Sequence, residues 1–303
     1  MSLRRRRLWG LVLLSAGIWG AVATAVAPAA SATIVHPAPA ATVAESSSAL
    51  RDLVTLRPFT VLRDPGETGL VIAHRGDSDE APENTIPAFA STSAAGASHL
   101  ELDIRLSADG IPMVIHDATV DRTTDGTGAV GEMTAHELRA LDAGSWFSEE
   151  FRATRIPTLA EALAQAATQG QDVLIEYKGA WKRSDIRTTM RLIADAGLER
   201  RVIAQSFSRR TVANIAAVAP DMPLGWLTHE LDALAVHTAL SIGADAVNPA
   251  AATIESVALA HRAGLGVFVW THDEDAAWEA YTQMGVDGII TNRPRALVAW
   301  SEA

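Results

Sequence analysis

The chain contains no cysteine. That removes thiol nucleophiles, thiolate metal sites and any disulfide framework, and it removes acylation of an N-terminal cysteine as a membrane anchor. Any bound metal must take His, Asp, Glu or carbonyl ligands. Basic residues are outnumbered as well: 25 Lys and Arg stand against 36 Asp and Glu, a net charge of −11. This balance speaks against a general nucleic-acid binder, which neutralises phosphates with Lys and Arg. A third absence is local. The apolar run that begins at Leu70 leads into "HRGDSDEAPEN", not into the Gly-rich phosphate turn that a doubly wound open sheet would need at that point.

What is present is enough apolar material for a large core: 48% of 303 residues are hydrophobic and 20% are charged. The N-terminus has the layout of a signal peptide. Arg4 to Arg7 supply a positive start, an apolar stretch follows, and Ala30 and Ala32 sit where a peptidase would cut. Residues 1–32 are therefore expected to be a signal peptide, with an uncleaved anchor over residues 8–27 as the alternative. The paired arginines also permit the twin-arginine route. Cleavage takes away four arginines and no acid, leaves −15, and leaves no stable membrane span. Residues 33–66 are rich in Pro, Ala and Ser and read as a linker.

From residue 67 to 303 the character changes. Short β-branched runs at 70–74, 99–106, 112–117, 172–178, 201–206, 222–227, 244–249, 266–271 and 287–291 alternate with Ala-rich segments of helical period, several of which stop on Gly. Such alternation implies βαβ units with parallel pairing. If 112–117 is a hairpin extension of the second strand, eight strands and about eight helices remain. That is an α/β fold, a (β/α)8 TIM barrel, with a small insertion at 118–155 after strand 2.

A barrel of this kind carries its active site at the C-terminal strand ends. His74 and Arg75 end the first strand, Glu101 and Asp103 lie on the second, and His116 ends its extension. Glu176 and Lys178 lie on the third. Residues two apart in a strand face the same way, so Glu101 with Asp103, and Glu176 with Lys178, point together. Three inward carboxylates need a cation, and oxygen ligands suit Ca²⁺ or Mg²⁺. The two histidines could act as general acid and general base, and Arg75 with Lys178 forms a cationic floor suited to phosphate.

The motifs "AHRG", "APENT", "ELDIRLSADGIPMVIHDATVDRTTDGTG", "LDAGSWFSEEF", "IPTLAEAL", "LIEYKG" and "DGIITNRP" occur in that order. Together they resemble the glycerophosphodiester phosphodiesterase family from Leu70 to the C-terminus. The resemblance implies hydrolysis of small-molecule glycerophosphodiesters to glycerol 3-phosphate and an alcohol. It implies His74 and His116 as the catalytic pair, and Glu101, Asp103 and Glu176 as ligands of a divalent cation. It places Arg75 and Lys178 on phosphate and Phe207 and Trp270 along the substrate pocket, with Glu83 close to metal or catalytic His. The mechanism it implies is substrate-assisted, with the neighbouring glycerol hydroxyl attacking phosphorus and a cyclic phosphate then opened by water.

Two positions depart from the family pattern. His272 stands where Asn is usual and would put an extra titratable group, or a changed hydrogen bond, at the rim. Asn292 stands where Asp is common and is expected to be structural. Residues 118–155 are expected to cap the barrel mouth, with Trp146 and Phe147 packing the cap down. His36, His136, His229, His237 and His261 are read as surface or helix-packing residues, and His99 lies at the end of the barrel away from catalysis. Two alternatives stand beside the main reading. One is a phospholipase D-like enzyme acting on lipid or wall-polymer phosphodiesters, against which the lack of cysteine weighs. The other is a catalytically silent surface binding protein on the same barrel.

Overall fold

Apolar runs bounded by turn residues become strands here, in the order the sequence lays down. The structure, a computed structural model, describes residues 62–303; the expected signal segment, and the expected linker up to residue 61, lie outside the described residues. Nine strands follow: β1 (Leu70–Ala73), β2 (His99–Leu106), β3 (Pro112–Val114), β4 (Asp172–Tyr177), β5 (Val202–Ser206), β6 (Leu224–Glu230), β7 (Ala246–Ala251), β8 (Gly266–Val269) and β9 (Gly288–Thr291). β3 folds back antiparallel on β2, pairing Leu106 with Pro112 and Ile104 with Val114. The other eight are parallel, and β1 pairs with both β2 and β9, so the sheet closes on itself. The expected (β/α)8 barrel with a hairpin extension is the architecture observed.

Helices return the chain between strands: α1 (Ile86–Ala94), then α2 (Ala135–Leu138) in the insertion, then α3 (Leu159–Gln169) and α4 (Arg183–Asp195). They continue with α5 (Arg209–Val218), α6 (Ala233–Ser241), α7 (Ile254–Arg262), α8 (Asp275–Met284) and α9 (Pro294–Ser301). Local chemistry sets several ends. Thr158 caps α3 with a reciprocal bond from Glu161, and Gly170 ends it in the left-handed conformation at φ 66°. Among the described residues no helix is long and apolar enough to cross a membrane.

Strand alternation sorts side chains into two layers. Ile72, Leu174, Ile203, Ala246, Phe268 and Ile290 fill the barrel interior as one buried cluster. The opposite faces, with Val71, Leu100, Leu102, Val173, Ile175 and Val267 among them, pack under the helices. Each such large side chain contributes roughly 1.5–3 kcal/mol by leaving water. A filled interior means that only the strand ends are open for chemistry. A separate cluster, Met113, Ile115, Val120, Val130, Leu138, Ala143 and Ile156, fixes residues 118–155 to the β2–β3 hairpin. Within this insertion the Asp142 carboxylate accepts backbone N–H bonds from Gly144, Ser145 and Ala153, which hold its pKa below the usual range. Trp146 and Phe147 pack edge-on, as Phe147 does with Phe151.

Candidate active site

The first strand ends on His-Arg-Gly for a steric reason as well as a chemical one. Arg75 adopts a left-handed conformation, φ 59°, which turns its N–H onto Glu101 Oε2 at 2.8 Å. A left-handed non-glycine residue is strained, and such strain concentrates at functional sites. Gly76 follows at φ 88°, where a Cβ would lie 2.7 Å from Ala88 Cβ. Only glycine lets the turn pass this close to α1. The turn is tied back by Asn84, itself at φ 57°, whose N–H donates to the Arg75 carbonyl at 2.9 Å.

Glu101 and Asp103 on β2 meet Glu176 on β4, with Asp103 and Glu176 directly paired in register. All three are buried, and one ligand oxygen from each lies within 4.8 Å of the others. Lys178 Nζ is 2.9 Å from Asp103 Oδ1 and 2.7 Å from Glu176 Oε1, and Arg75 Nε is 3.3 Å from Asp103 Oδ2. Burial and the charges of Asp103 and Glu176 push Glu101 well above the usual carboxylate range. Burial and Asp103 raise Glu176 to about 7. Burial also opposes ionisation of Asp103, but Lys178 and Arg75 overcome it and hold that carboxyl low. The cluster thus has more carboxylate than its two cations can neutralise. Asp103 Oδ1 is buried without a well-aligned hydrogen bond despite the nearby ammonium. A buried, oxygen-only, underneutralised triad fits a hard divalent cation.

The two histidines have different partners. His74 Nδ1 lies 2.6 Å from Asn292 Oδ1. The Asn292 amide cannot flip, because its Nδ2 donates to Asp273 Oδ2 at 2.7 Å while its backbone N–H donates to Asp273 Oδ1 at 2.7 Å. Its oxygen must therefore face the imidazole, so Nδ1 carries the proton and Nε2 is left with a free lone pair. Burial and the Arg75 charge lower the His74 pKa to about 4. His116 Nδ1 instead meets a carboxylate, Asp117 Oδ1, at 2.6 Å. Burial lowers the pKa of His116 too, but Asp103 and Asp117 act to raise it.

The hydrogen bonds of Glu83 run to two arginines. Its oxygens accept from Arg75 Nη1 at 2.8 Å and from Arg122 Nη1 and Nη2 at 2.8 Å each. Arg122 Nε also donates to Asp117 Oδ2 at 2.6 Å, so one arginine of the insertion links Glu83 to the partner of His116. His74, Arg75, Glu101, His116, Glu176, Lys178, Phe207 and Trp270 line a single cavity of about 90 Å³ at the barrel mouth. Asp103 does not line it but contacts Lys178 and Arg75, which do. Phe207 and Trp270 meet edge-on at 5.4 Å between ring centres, and the Trp270 indole N–H donates to the Asn248 carbonyl.

Besides Arg122, four residues have contacts outside the sequence reading. Asn292 is not merely structural, since it touches His74. Asp273 fixes Asn292, and Asn84 clamps Asp103 with Nδ2 to Oδ2 at 2.8 Å and Oδ1 to its N–H at 3.1 Å. "APENT" contained Asn84 as a motif member, but nothing in the sequence gave its contact. His229 is exposed, as a surface residue should be, but it lies on β6 and joins the rim with its ring 5.6 Å from Phe207 and 5.8 Å from Trp270. His272 moves the other way: its Nε2 meets the Ala250 carbonyl at 3.0 Å and its ring packs on Tyr281, so it does not line the cavity.

The chain is similar to known proteins over most of its described length. The model of the glycerophosphoryl diester phosphodiesterase family matches residues 74–296. A glycerophosphodiester phosphodiesterase of Caldanaerobacter subterraneus is 40% identical over 233 residues, 76% of this chain and 96% of that one. Among solved structures, a phosphodiesterase of Oleispira antarctica in complex with the product sn-glycerol-3-phosphate superposes with a TM-score of 0.73 at 25% identity. That alignment covers 78% of this chain and 98% of the other. A glycerophosphodiester phosphodiesterase of Agrobacterium tumefaciens gives a TM-score of 0.67 at 31% identity, covering 77% and 100%.

Proposed function

Starting from the chain's membership of the glycerophosphoryl diester phosphodiesterase family, and so from its being a glycerophosphodiester phosphodiesterase, we propose that it is an exported, divalent-cation-dependent enzyme. It releases sn-glycerol 3-phosphate by two-histidine acid/base catalysis. The single observation that carries the catalytic assignment is the difference between the two Nδ1 partners. An amide oxygen on Nδ1 fixes the His74 tautomer with a free Nε2, and burial with the Arg75 charge keeps the ring neutral, the state of a general base. A carboxylate on His116 stabilises an imidazolium, the state of a general acid.

In the first step His74 Nε2 removes the proton of the glycerol hydroxyl next to the phosphodiester. That oxygen attacks phosphorus, the bond to the head-group oxygen breaks, and His116 gives that oxygen its proton. In the second step water opens the cyclic phosphate. His116 takes the water proton and His74 returns its own to the glycerol oxygen. An internal nucleophile needs no second encounter, which is a large entropic advantage. Arg75 and Lys178 hold the phosphoryl oxygens, and Phe207 and Trp270 exclude water from the glycerol side.

Glu101, Asp103 and Glu176 would hold Ca²⁺ or Mg²⁺, which would offset the charge that builds on the phosphoryl oxygens. Export rests on the arginine-led apolar N-terminus and its Ala30–Ala32 cleavage signature, and an extracellular setting favours Ca²⁺. The test is release of glycerol 3-phosphate from glycerophosphocholine by the full-length protein in EDTA, then with Ca²⁺ or Mg²⁺ restored, beside His74→Ala. Release that returns with the cation and is lost in the variant is expected. Release that persists in EDTA would remove the cation from the proposal.

A further inference from the structure

β2 carries one more inward position than catalysis uses. Glu101, Asp103 and Arg105 are two apart and share a face of the strand. Glu101 and Asp103 belong to the acidic cluster. Arg105 lies beyond them, where β2 has left the barrel and runs with β3. Its Nε donates to the His116 carbonyl at 2.8 Å. Among the described residues no carboxylate stands within ion-pair distance of it; Asp103, Asp117 and Glu176 act on it only from further away.

Arg105 faces a second cavity, of about 230 Å³, and Lys178 lines both this cavity and the catalytic one. The remaining wall includes Ala118, Val130, Ala180 and Trp181, and no carboxylate lines it. Burial of part of the Arg105 side chain costs free energy that Asp103, Asp117 and Glu176, acting from further away, offset only in part. A cavity lined by a guanidinium without an ion-pair partner, by the stem and ammonium of Lys178, which is already bonded to Asp103 and Glu176, and otherwise by apolar groups is complementary to an anionic group.

Its position says which part of a substrate would reach it. This step rests on the reading above, in which His116 protonates the departing alcohol. The head group then leaves on the His116 side, and Arg105 is bonded to the backbone of His116 itself. The aromatic pair Phe207 and Trp270 lies elsewhere around the mouth and does not line the second cavity.

We propose that the cavity between Arg105 and Lys178 is an anion subsite for the departing alcohol, so that the enzyme prefers glycerophosphodiesters whose head group carries a second phosphate. Two sources share this chemistry, glycerol phosphate oligomers and phosphorylated inositols.

The experiment compares matched substrates with the full-length protein under one cation. Glycerophosphoglycerol is set against bis(glycerophospho)glycerol, and glycerophosphoinositol against its 4-phosphate. The phosphate-bearing member of a pair is expected to show a kcat/KM roughly tenfold higher, the effect of one charge-assisted hydrogen bond. Arg105→Gln and Ala180→Asp should each abolish the preference, and Arg105→Lys should keep part of it. Ala180 is exposed, so Ala180→Asp adds a counter-charge without removing the bond to His116, and its readout is the ratio within each substrate pair. A gain in one pair only assigns the source; a gain in both assigns phosphate as such. Equal rates within both pairs, or a preference that survives both Arg105→Gln and Ala180→Asp, would overturn the subsite. Calorimetric binding of the same pairs to full-length His74→Ala reads the subsite without turnover. Absence of all hydrolysis alongside a tenfold difference in Kd would therefore count against the diesterase reading and not against the subsite.

Discussion

Replacing Asn292 by Ala tests the division of labour between the histidines most directly. The side chain makes three bonds: Oδ1 meets His74 Nδ1 at 2.6 Å and accepts from the Ser78 hydroxyl at 3.1 Å, and Nδ2 donates to Asp273 Oδ2 at 2.7 Å. Its loss leaves a buried imidazole N–H without a partner, a penalty of roughly 1–3 kcal/mol. The imidazole escapes part of that penalty by moving its proton to Nε2, the tautomer that cannot act as base. If about 2 kcal/mol of base-competent His74 is lost, kcat should fall about 30-fold. KM should move little, because Asn292 is not among the residues lining the catalytic cavity. The assay is steady-state turnover of glycerophosphocholine at saturating cation, with thermal unfolding followed in parallel to separate misfolding from chemistry. Asn292→Asp is the companion variant. A carboxylate on Nδ1 favours the imidazolium, so the His74 pKa should rise and the acid limb of the rate profile should move to higher pH. An Asn292→Ala protein of normal stability with kcat within twofold of the parent would refute the tautomer argument.

Further outcomes follow from the same geometry. With its pKa lowered to about 4, His74 stays neutral well below its ordinary 6.5, so kcat/KM at saturating cation should hold through pH 5 and fall near 4; an acid limb at 6.5 would contradict this. The stability sign is fixed too: below 6.5 the unfolded chain takes up a proton that folded His74 refuses, so the His74 contribution is full above 6.5 and is lost as pH falls towards 4, visible in urea midpoints. Asn84→Gly keeps the left-handed backbone and removes only the clamp on Asp103, so cation affinity measured by calorimetry should weaken about 10- to 100-fold. Gly76→Ala places a Cβ 2.7 Å from Ala88 Cβ at φ 88°, and urea unfolding should show a loss of about 2–4 kcal/mol.

Much of the fold was legible because its signals are local. Val- and Ile-rich runs between Gly stops locate all nine strands, and the condition that 112–117 is a hairpin extension, which leaves eight units, is met by β3. The site residues on β1, β2 and β4 were legible for the same reason. They sit at strand ends or two apart on a strand, and strand periodicity alone decides that they face together. The rim contacts of His229 were not legible because "LTHELD" reads equally as a strand end or as the approach to a helix. His272 and Asn292 were exchanged in importance because both sit at strand ends where a polar residue is compatible with either role.

The amino-acid sequence by itself determined the alternation of strands and helices, the excess of acid over base, and which ionisable residues end the early strands. The tertiary structure decided who touches whom. Asn292 meets His74 across 218 residues, and it does so only because β9 pairs with β1 and closes the barrel. Arg122 reaches Glu83 across 39 residues because the insertion has its own small core against the hairpin. Hydrophobic periodicity tells each residue which face to take, but not how far the closed sheet will bring it from its partner. A tautomer, a clamped carboxylate or an uncompensated guanidinium is a property of such pairs, and pairs exist only once the barrel has closed.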